Sequence, residues 1–148
     1  MLHLKTILHP TDFSPNADQA LALAFALARD YRGRLILLHV AASPTIVAHA
    51  ELVPVLQATQ EELQTQLRQR AAANAEGPVE VRLEHGDPAD EVVRVANEMH
   101  ADLIVMGTHG RSGIGRLLMG SVAEQVLREA PCPVLIVKST LPAGSSPS

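Results

Sequence analysis

The segment Gly107-Thr108-His109-Gly110, followed after nine residues by Gly120-Ser121, carries the residue types that could hold a phosphate group. It lies between a short apolar run and a stretch with helical spacing. Glycine lets a backbone come close to an anion, and a helix start offers free N–H groups and the positive end of the helix dipole. Gly113 and Gly115 bring the glycines above the one or two that most turns need, so we interpret this stretch as an anion-binding loop.

The elements that must position this loop follow an alternating pattern. Five apolar runs, at residues 4–8, 35–40, 79–84, 102–106 and 134–137, are predicted to be strands. Helical spacing predicts helices over residues 16–32, with Gly33 as the stop, over residues 47–75, with a break near Pro54, and over residues 122–128. A further helix is predicted to start at Pro88, with Asp87 as its cap.

This alternation predicts an α/β fold with a doubly wound, five-stranded parallel sheet. Residues 79–84 alternate apolar and polar side chains, which places that strand near an edge of the sheet. Residues 1–138 are predicted to form one domain, and residues 139–148, rich in Ser and Pro, a disordered tail.

In such sheets ligands bind outside the carboxyl ends of the strands. Three segments should meet there: residues 10–12 after the first strand, Val40 after the second, and the glycine loop after the fourth. The Asp12 carboxylate could take a ribose hydroxyl, a base amine or a metal ion, and the backbone near Val40 could hold the edge of a base. The loop, with Arg111 and Ser121, would take phosphates. A purely structural interpretation of Asp12, as a residue that stabilises the turn before the first helix, stays equally open.

Other motifs and sites are excluded or disfavoured by the residues. The loop lacks the Gly-Lys-Ser/Thr ending of a nucleoside triphosphatase phosphate loop, and its glycines follow the wrong strand for a dinucleotide fingerprint. Cys132 has no basic neighbour in sequence that would lower the pKa of its thiol, so we interpret it as structural. Four histidines near strand ends lack the spacing of metal ligands and are interpreted as satisfied or solvated: His9, His39, His85 and His109.

Composition narrows the class of partner. The chain of 148 residues has a net charge of -4, with only 12 Lys and Arg residues, so nucleic acid is not an expected partner. No apolar run approaches the roughly 20 residues that cross a bilayer, and the N-terminus lacks the features of a signal peptide. With Cys132 as the single cysteine, no internal disulfide can form, and a cytoplasmic location is expected.

The spacing Gly107-x-x-Gly110, nine residues, Gly120-Ser121 resembles the signature of the universal stress protein family, in its nucleotide-binding branch. The similarity covers nearly the whole chain. It extends to three further segments: Ile7-Leu8-His9-Pro10-Thr11-Asp12-Phe13-Ser14, Ala101-Asp102-Leu103-Ile104-Val105-Met106-Gly107-Thr108-His109-Gly110-Arg111 and Pro131-Cys132-Pro133-Val134-Leu135-Ile136-Val137.

This resemblance implies a flavodoxin-like or adenine nucleotide α-hydrolase-like sheet of five strands, with strand order 3-2-1-4-5. It also implies a protein that binds ATP. We expect Mg²⁺ as a companion ion, held by Asp12 or by a phosphate oxygen. The resemblance implies that Pro10, Thr11 and Asp12 face the adenosine and that Val40 faces the adenine. It assigns the ribose and the phosphates to seven residues: Met106, Gly107, Gly110, Arg111, Gly120, Ser121 and Val122. The sequence departs from some nucleotide-binding members at Ala123, where they carry a hydroxyl residue, and this departure bears on affinity.

The last strand, Val134–Val137, is expected at an edge of the sheet, where four apolar residues without charge need a cover. A symmetric homodimer through this strand would supply that cover, and the family resemblance implies such a dimer. We therefore expect a dimeric ATP-binding stress-response protein with at most slow hydrolysis, because no general base stands in the glycine loop. Two alternatives stay open: a nucleotide hydrolase or transferase on the same scaffold, and a dimeric interaction or signalling module that binds no nucleotide.

Overall fold

The structure is a computed structural model that describes residues 2–41, 59–73, 77–108 and 120–138. Its five strands are β1 (Thr6–Pro10), β2 (Arg34–Ala41), β3 (Val79–His85), β4 (Leu103–Gly107) and β5 (Val134–Val137). The helices of the described residues are α1 (Pro15–Tyr31), α2 (Gln60–Ala73), α3 (Pro88–Glu98) and α4 (Ser121–Glu129). None of these helices is long and apolar enough to cross a membrane.

The strands form one parallel sheet in the order β3-β2-β1-β4-β5. Leu8 of β1 lies in register with Ile36 of β2 on one side and with Ile104 of β4 on the other. The predicted α/β fold and strand order are therefore confirmed, including the edge position of β3. Residues 35–38 of β2 and 103–106 of β4 are continuous runs of buried apolar side chains, because helices cover both faces of the sheet. Strand β1 between them contributes the buried side chains of Ile7 and Leu8.

The core consists of two apolar layers, one on each face of the sheet. Leu8, Ile36 and Ile104 belong to the layer that also contains buried side chains of α3 and α4. Their neighbours along the strands point to the opposite face, because side chains alternate along a strand, and there they meet α1 and Leu67 of α2. This arrangement leaves the carboxyl ends of the strands as the open edge between the two layers.

Two helices begin with the caps that their sequences favour. The side chain of Ser14 accepts a hydrogen bond from the N–H of Ala17 at the start of α1. Asp87 accepts from the N–H of Asp90 at the start of α3, with Pro88 at the first helical position, which confirms the predicted cap. Serine and aspartate satisfy here the N–H groups that would otherwise lack an intrahelical partner.

Helix α1 ends just before Gly33, as predicted, and the Gly33 N–H donates to the carbonyl oxygen of Ala28 at 2.9 Å, but the reason for glycine at this position is different. The left-handed residue that ends α1 is Arg32, with a φ of 57°. Gly33 is needed because a Cβ at this position would overlap the carbonyl oxygen of Leu4. The requirement for glycine comes from close packing against the segment before β1. The residues at the end of a helix do not reveal such a contact.

Several predictions fall on residues that lie outside the described ranges. Helix α2 lies inside the segment predicted to be helical, whereas residues 47–58, with Pro54, are not described. The predicted tail of residues 139–148 and the loop of residues 109–119 also lie outside.

Candidate functional site

A cavity of about 380 Å³ opens at the carboxyl ends of β1, β2 and β4, at the edge where a doubly wound sheet binds its ligands. Nine of the eleven residues predicted as a binding site line it: Pro10, Thr11, Asp12, Val40, Met106, Gly107, Gly120, Ser121 and Val122. The remaining two, Gly110 and Arg111, lie outside the described residues. The structure thus gathers residues from four elements of the chain into one concave surface.

The turn after β1 forms one wall of this cavity. The N–H of Thr11 donates to the carbonyl oxygen of Leu38 at 2.8 Å, which ties the turn to β2. Within the turn, Phe13 N–H donates to Thr11 Oγ1 at 3.0 Å and Ser14 N–H donates to Asp12 Oδ1 at 2.9 Å. Asp12 therefore stabilises the turn, as its structural interpretation proposed, and its side chain also lines the cavity. The cap of α1 is Ser14 and not Asp12.

The end of β2 supplies Val40 and a histidine that sequence reasoning had not assigned to the site. His39 lines the cavity, and its Nδ1 donates to the carbonyl oxygen of Thr11 at 2.8 Å. This hydrogen bond joins β2 to the turn after β1 a second time, beside the one from Thr11 to Leu38. The position directly before Val40 was the available signal, because both residues end the same strand.

The end of β4 packs tightly against α1. A Cβ on Gly107 would lie 2.5 Å from Asn16 Oδ1, so only glycine fits beside the buried amide of Asn16. Thr108 Oγ1 donates to Asn16 Oδ1 at 3.3 Å, and Asn16 Nδ2 donates to the carbonyl oxygen of Val137 at 3.3 Å. One asparagine thus holds the ends of β4 and β5 beside the start of α1.

The start of α4 is the part of the cavity best suited to an anion. Gly120 is its N-cap, and no side chain of the described residues caps this helix end. The N–H of Gly120 donates to the carbonyl oxygen of Thr108 at 2.7 Å, which fixes the helix start next to β4. The N–H groups of the first turn and the positive end of the helix dipole therefore face the cavity at Ser121 and Val122.

Ala123 is 3% exposed. At this position some nucleotide-binding members of the family that the sequence resembles carry a hydroxyl residue. Ala123 also lines the cavity. Its methyl group belongs to the apolar layer of α3 and α4. At this position the side chain adds packing and offers no hydrogen-bonding group to a ligand.

Other residues that line the cavity were not predicted, and most of them come from helix starts. The first turns of α1 and α3 point to the carboxyl edge of the sheet because each helix directly follows a strand that ends there. Counting the first turn after every strand as part of the site would have found several of them. Five lining residues were not anticipated: Ser14, Ala17, His39, Pro88 and Val92. Thr108, which also lines the cavity, belongs to the predicted anion-binding loop, and Ala123 was noted as a position that bears on affinity.

His9 and Cys132 lie away from the cavity lining. The pKa of His9 is lowered from 6.5 to about 4, chiefly because the ring is buried, although a hydrogen bond from Nδ1 to the carbonyl oxygen of Val105 opposes this shift. Burial also raises the pKa of the Cys132 thiol. Among the described residues, no group of three His, Cys, Asp or Glu side chains is arranged to hold a metal ion.

The sequence matches the universal stress protein family over residues 3–138. It is 38% identical over 141 residues to a universal stress protein of Methanocaldococcus jannaschii, a match that covers 90% of this chain and 82% of the relative. It is 33% identical over 153 residues to a putative universal stress protein of Staphylococcus aureus strain USA300, covering 99% of this chain and 92% of the relative.

Solved structures agree with this match. The hypothetical protein MJ0577, whose biochemical function was assigned from its structure, superposes with a TM-score of 0.80 at 32% identity and covers 94% of this chain and 99% of its own. UspA from Lactobacillus plantarum superposes with a TM-score of 0.75 at 25% identity, and the match covers 93% of this chain and 99% of UspA. A universal stress protein in complex with cAMP superposes with a TM-score of 0.68 at 27% identity, and the match covers 91% of this chain and 97% of that protein. The chain belongs to the universal stress protein family.

Proposed function

We propose that this protein binds ATP in the cavity at the carboxyl ends of β1, β2 and β4 and acts as a dimeric regulatory protein of the stress response. The observation that carries the proposal is the start of α4, where the first-turn N–H groups have no side-chain cap among the described residues and face the cavity. A phosphate chain placed there would satisfy those N–H groups and meet the positive end of the helix dipole.

The rest of the nucleotide would lie along the other walls of the cavity. In the proposed arrangement the adenine packs near Val40 and the adenosine faces the turn of Pro10, Thr11 and Asp12. The ribose and phosphates would lie between β4 and α4, against Met106, Gly107, Gly120, Ser121 and Val122, and Gly110 and Arg111 are proposed to join them. A volume of about 380 Å³ falls within the range of small-molecule pockets, roughly 300–1,000 Å³.

The relatives support an adenine nucleotide as the ligand class. A family member that is 27% identical to this chain was solved in complex with cAMP. That complex concerns a different protein, but its ligand shares the adenosine and phosphate groups that the cavity walls are suited to hold.

Mg²⁺ fits the proposal as an ion carried by the phosphates. Magnesium in nucleotide sites is typically bound by one or two carboxylates together with phosphate oxygens and water. Asp12 would be the carboxylate at this site, since its side chain lines the cavity and only Oδ1 accepts the hydrogen bond from Ser14 N–H. When bound, the ion would neutralise phosphate charge. We propose that the protein hydrolyses ATP slowly at most, because the sequence of the glycine loop contains no general base.

A homodimer through β5 (Val134–Val137) is the proposed assembly. Strand β5 lies at an edge of the sheet, and its Leu135 side chain is 37% exposed. Pairing two such edges would cover apolar side chains and unpaired backbone groups together. Leu135→Lys should convert the dimer into a monomer at micromolar concentration in sedimentation equilibrium, and a wild-type protein that is monomeric under these conditions would contradict this assembly.

The deciding experiment for the ligand has two arms. Protein purified from its expression host is denatured, and the released small molecules are identified by mass spectrometry. In parallel, ATP, AMP, cAMP and GTP are titrated calorimetrically into nucleotide-free protein with and without Mg²⁺. We expect ATP to bind and GTP to bind weakly or not at all. If no nucleotide co-purifies and neither ATP nor the other adenine nucleotides bind, the proposed function is wrong, and the interaction module without nucleotide is favoured.

A turnover assay separates binding from catalysis. ATP hydrolysis by the wild type is compared with Asp12→Ala and Gly110→Val. A genuine enzymatic activity should disappear in both variants while their circular dichroism spectra stay unchanged. Rapid turnover in the wild type that both variants lose would favour the hydrolase alternative over a regulatory binding protein.

A further inference from the structure

Arg70 on α2 reaches across to the turn that follows β1. Its Nη2 donates to the carbonyl oxygen of Phe13 at 3.2 Å, and its guanidinium carbon lies 4.9 Å from the centre of the Phe13 ring. Nε and Nη2 also donate to the Asp18 carboxylate, at 2.9 and 3.4 Å. A single side chain of α2 therefore joins the turn to the first turns of α1. The fork of the guanidinium group suits this task, because its donors point in fixed directions.

Phe13 lies in a backbone conformation that needs such support. Its φ of 67° is in the left-handed region, which side chains other than Gly, Asn and Asp enter at a cost in free energy. Residues in such conformations persist where several contacts hold them in place. Here Phe13 N–H donates to Thr11 Oγ1, its carbonyl oxygen accepts from Arg70, and its ring packs on His39 with the ring centres 4.4 Å apart.

The contact with His39 connects this arrangement to the cavity. His39 Nδ1 donates to the carbonyl oxygen of Thr11, and both residues line the cavity. Arg70 and Phe13 are not among the described residues that line it. The chain of contacts from Arg70 through Phe13 and His39 to Thr11 therefore begins outside the site and ends at its wall.

We propose that Arg70 is a positioning residue for the nucleotide site, which holds the turn of residues 10–14 in its binding-competent conformation. This inference rests on the proposed function. A site that is competent only part of the time binds its ligand more weakly in proportion to the competent fraction. Arg70 thereby makes nucleotide affinity depend on how α2 packs against α1 and the turn, without touching the ligand.

The test compares Arg70→Ala with Arg82→Ala. The two arginines are similarly exposed, at 24% and 18% of the side chain, and both make ion pairs, but Arg82 pairs with Glu84 and Glu98 and not with the turn. ATP affinity is measured by calorimetry well below the melting temperature of either variant. We expect Arg70→Ala to weaken ATP binding about fivefold, as for a turn that is competent about a fifth of the time. Arg82→Ala should leave the affinity unchanged.

Two further variants separate positioning from general stability. Arg70→Lys keeps the positive charge beside Asp18 but lacks the fork, so it should recover part of the lost affinity. Phe13→Ala removes the ring between Arg70 and His39, so a double-mutant cycle between Phe13→Ala and Arg70→Ala should be non-additive in the ATP affinity. An additive cycle, or an equal loss of affinity in Arg70→Ala and Arg82→Ala, would overturn the proposal.

Hydrogen exchange in the nucleotide-free protein gives a readout that does not depend on ligand. Arg70→Ala should lower the protection of the amides of residues 11–17, whereas Arg82→Ala should not. If the wild type binds no nucleotide, the proposed function fails by itself, and the exchange data still decide whether Arg70 holds the turn. Unchanged protection together with unchanged ATP affinity in Arg70→Ala would overturn the positioning role.

Discussion

Gly107 and Asn16 pack so closely that a Cβ on Gly107 would lie 2.5 Å from the side-chain oxygen of Asn16. The amide of Asn16 cannot simply rotate away, because it is 6% exposed and is hydrogen-bonded to Thr108 and to the carbonyl oxygen of Val137. The same Cβ would also lie 3.2 Å from the backbone carbonyl oxygen of Asn16. This contact joins the start of α1 to the ends of β4 and β5 at the wall of the candidate site.

Gly107→Ala is therefore expected to disturb stability and site together. The added methyl group must displace Asn16 and with it Thr108, whose carbonyl oxygen accepts from Gly120 N–H. We expect a loss of about 1–3 kcal/mol in the free energy of unfolding, as for overpacked interiors, and about tenfold weaker ATP binding, equivalent to roughly 1.4 kcal/mol. Urea denaturation and calorimetric titration measure the two effects. Gly77→Ala is the matched control, because its Cβ would meet nothing within 4 Å. If Gly107→Ala and Gly77→Ala changed the free energy of unfolding and the ATP affinity equally, the packing argument would be wrong.

Ser121→Asp should separate stability from phosphate binding. A carboxylate in the first turn of α4 interacts favourably with the helix dipole, which adds about 0.5 kcal/mol to the free energy of unfolding. The same charge repels phosphate, so ATP should bind about tenfold more weakly while adenosine changes little. Ser121→Asn, of similar size and without charge, should bind ATP nearly as the wild type does. If Ser121→Asp weakened adenosine and ATP equally, the phosphates would not lie at this helix start.

His9 should make the protein sensitive to acid. Burial lowers the pKa of its folded-state imidazole to about 4 from 6.5, so the unfolded chain takes up the proton first as the pH falls. The stabilisation that the neutral, buried His9 contributes is fully present above about pH 6.5 and is lost as the pH falls from there to about 4. Between pH 7.5 and 5.0 this group alone should cost about 2 kcal/mol in the free energy of unfolding.

His9→Gln gives the control for this pH dependence. Glutamine keeps an amide that can donate to the carbonyl oxygen of Val105 and does not titrate. Urea denaturation at the two pH values should show a smaller loss in His9→Gln than in the wild type, by about the same 2 kcal/mol. An identical pH dependence of both proteins would show that the acid sensitivity arises from other groups.

Glu84 links two arginines on the surface between β3 and α3. It accepts from Arg82 at 2.7 Å and lies 3.0 Å from Arg94, and both arginines also pair with Glu98. Such networks contribute more than isolated surface pairs, which are worth about 0–1 kcal/mol. Glu84→Gln should therefore lower the free energy of unfolding by about 1 kcal/mol at low salt, and 1 M NaCl should reduce the difference by screening.

Glu80→Gln provides the comparison on the same strand. Glu80 pairs only with Arg34 among the described residues, at 3.5 Å with both side chains more than 40% exposed. This substitution should change stability by less than about 0.5 kcal/mol at any salt concentration. A cost of Glu84→Gln that persists undiminished in 1 M NaCl would indicate a packing effect in place of an ionic one.

Much of the fold could be predicted because its signals are local. Apolar runs, helical spacing and the Asp87-Pro88 pair identify strands and a helix start without knowledge of the partners they meet. The role of Gly33 could not be obtained in this way, because the reason for glycine there is the carbonyl oxygen of Leu4, which approaches only after folding.

The amino-acid sequence by itself determined the order of strands and helices, and it identified nine of the residues that line the cavity. The order of the elements and the three segments of the site depend on periodicity, turn residues and the rule that parallel strands end at a common edge. The assignment of single residues such as Met106 and Val122 came from the resemblance to the family. Only the tertiary structure decided that Asn16 fills the space beside Gly107, that the His39 ring packs on Phe13 and that Arg70 reaches Phe13. Those contacts join residues that are 26 to 91 positions apart in the chain. Such pairings follow from how the elements pack, and no local pattern in the sequence encodes them.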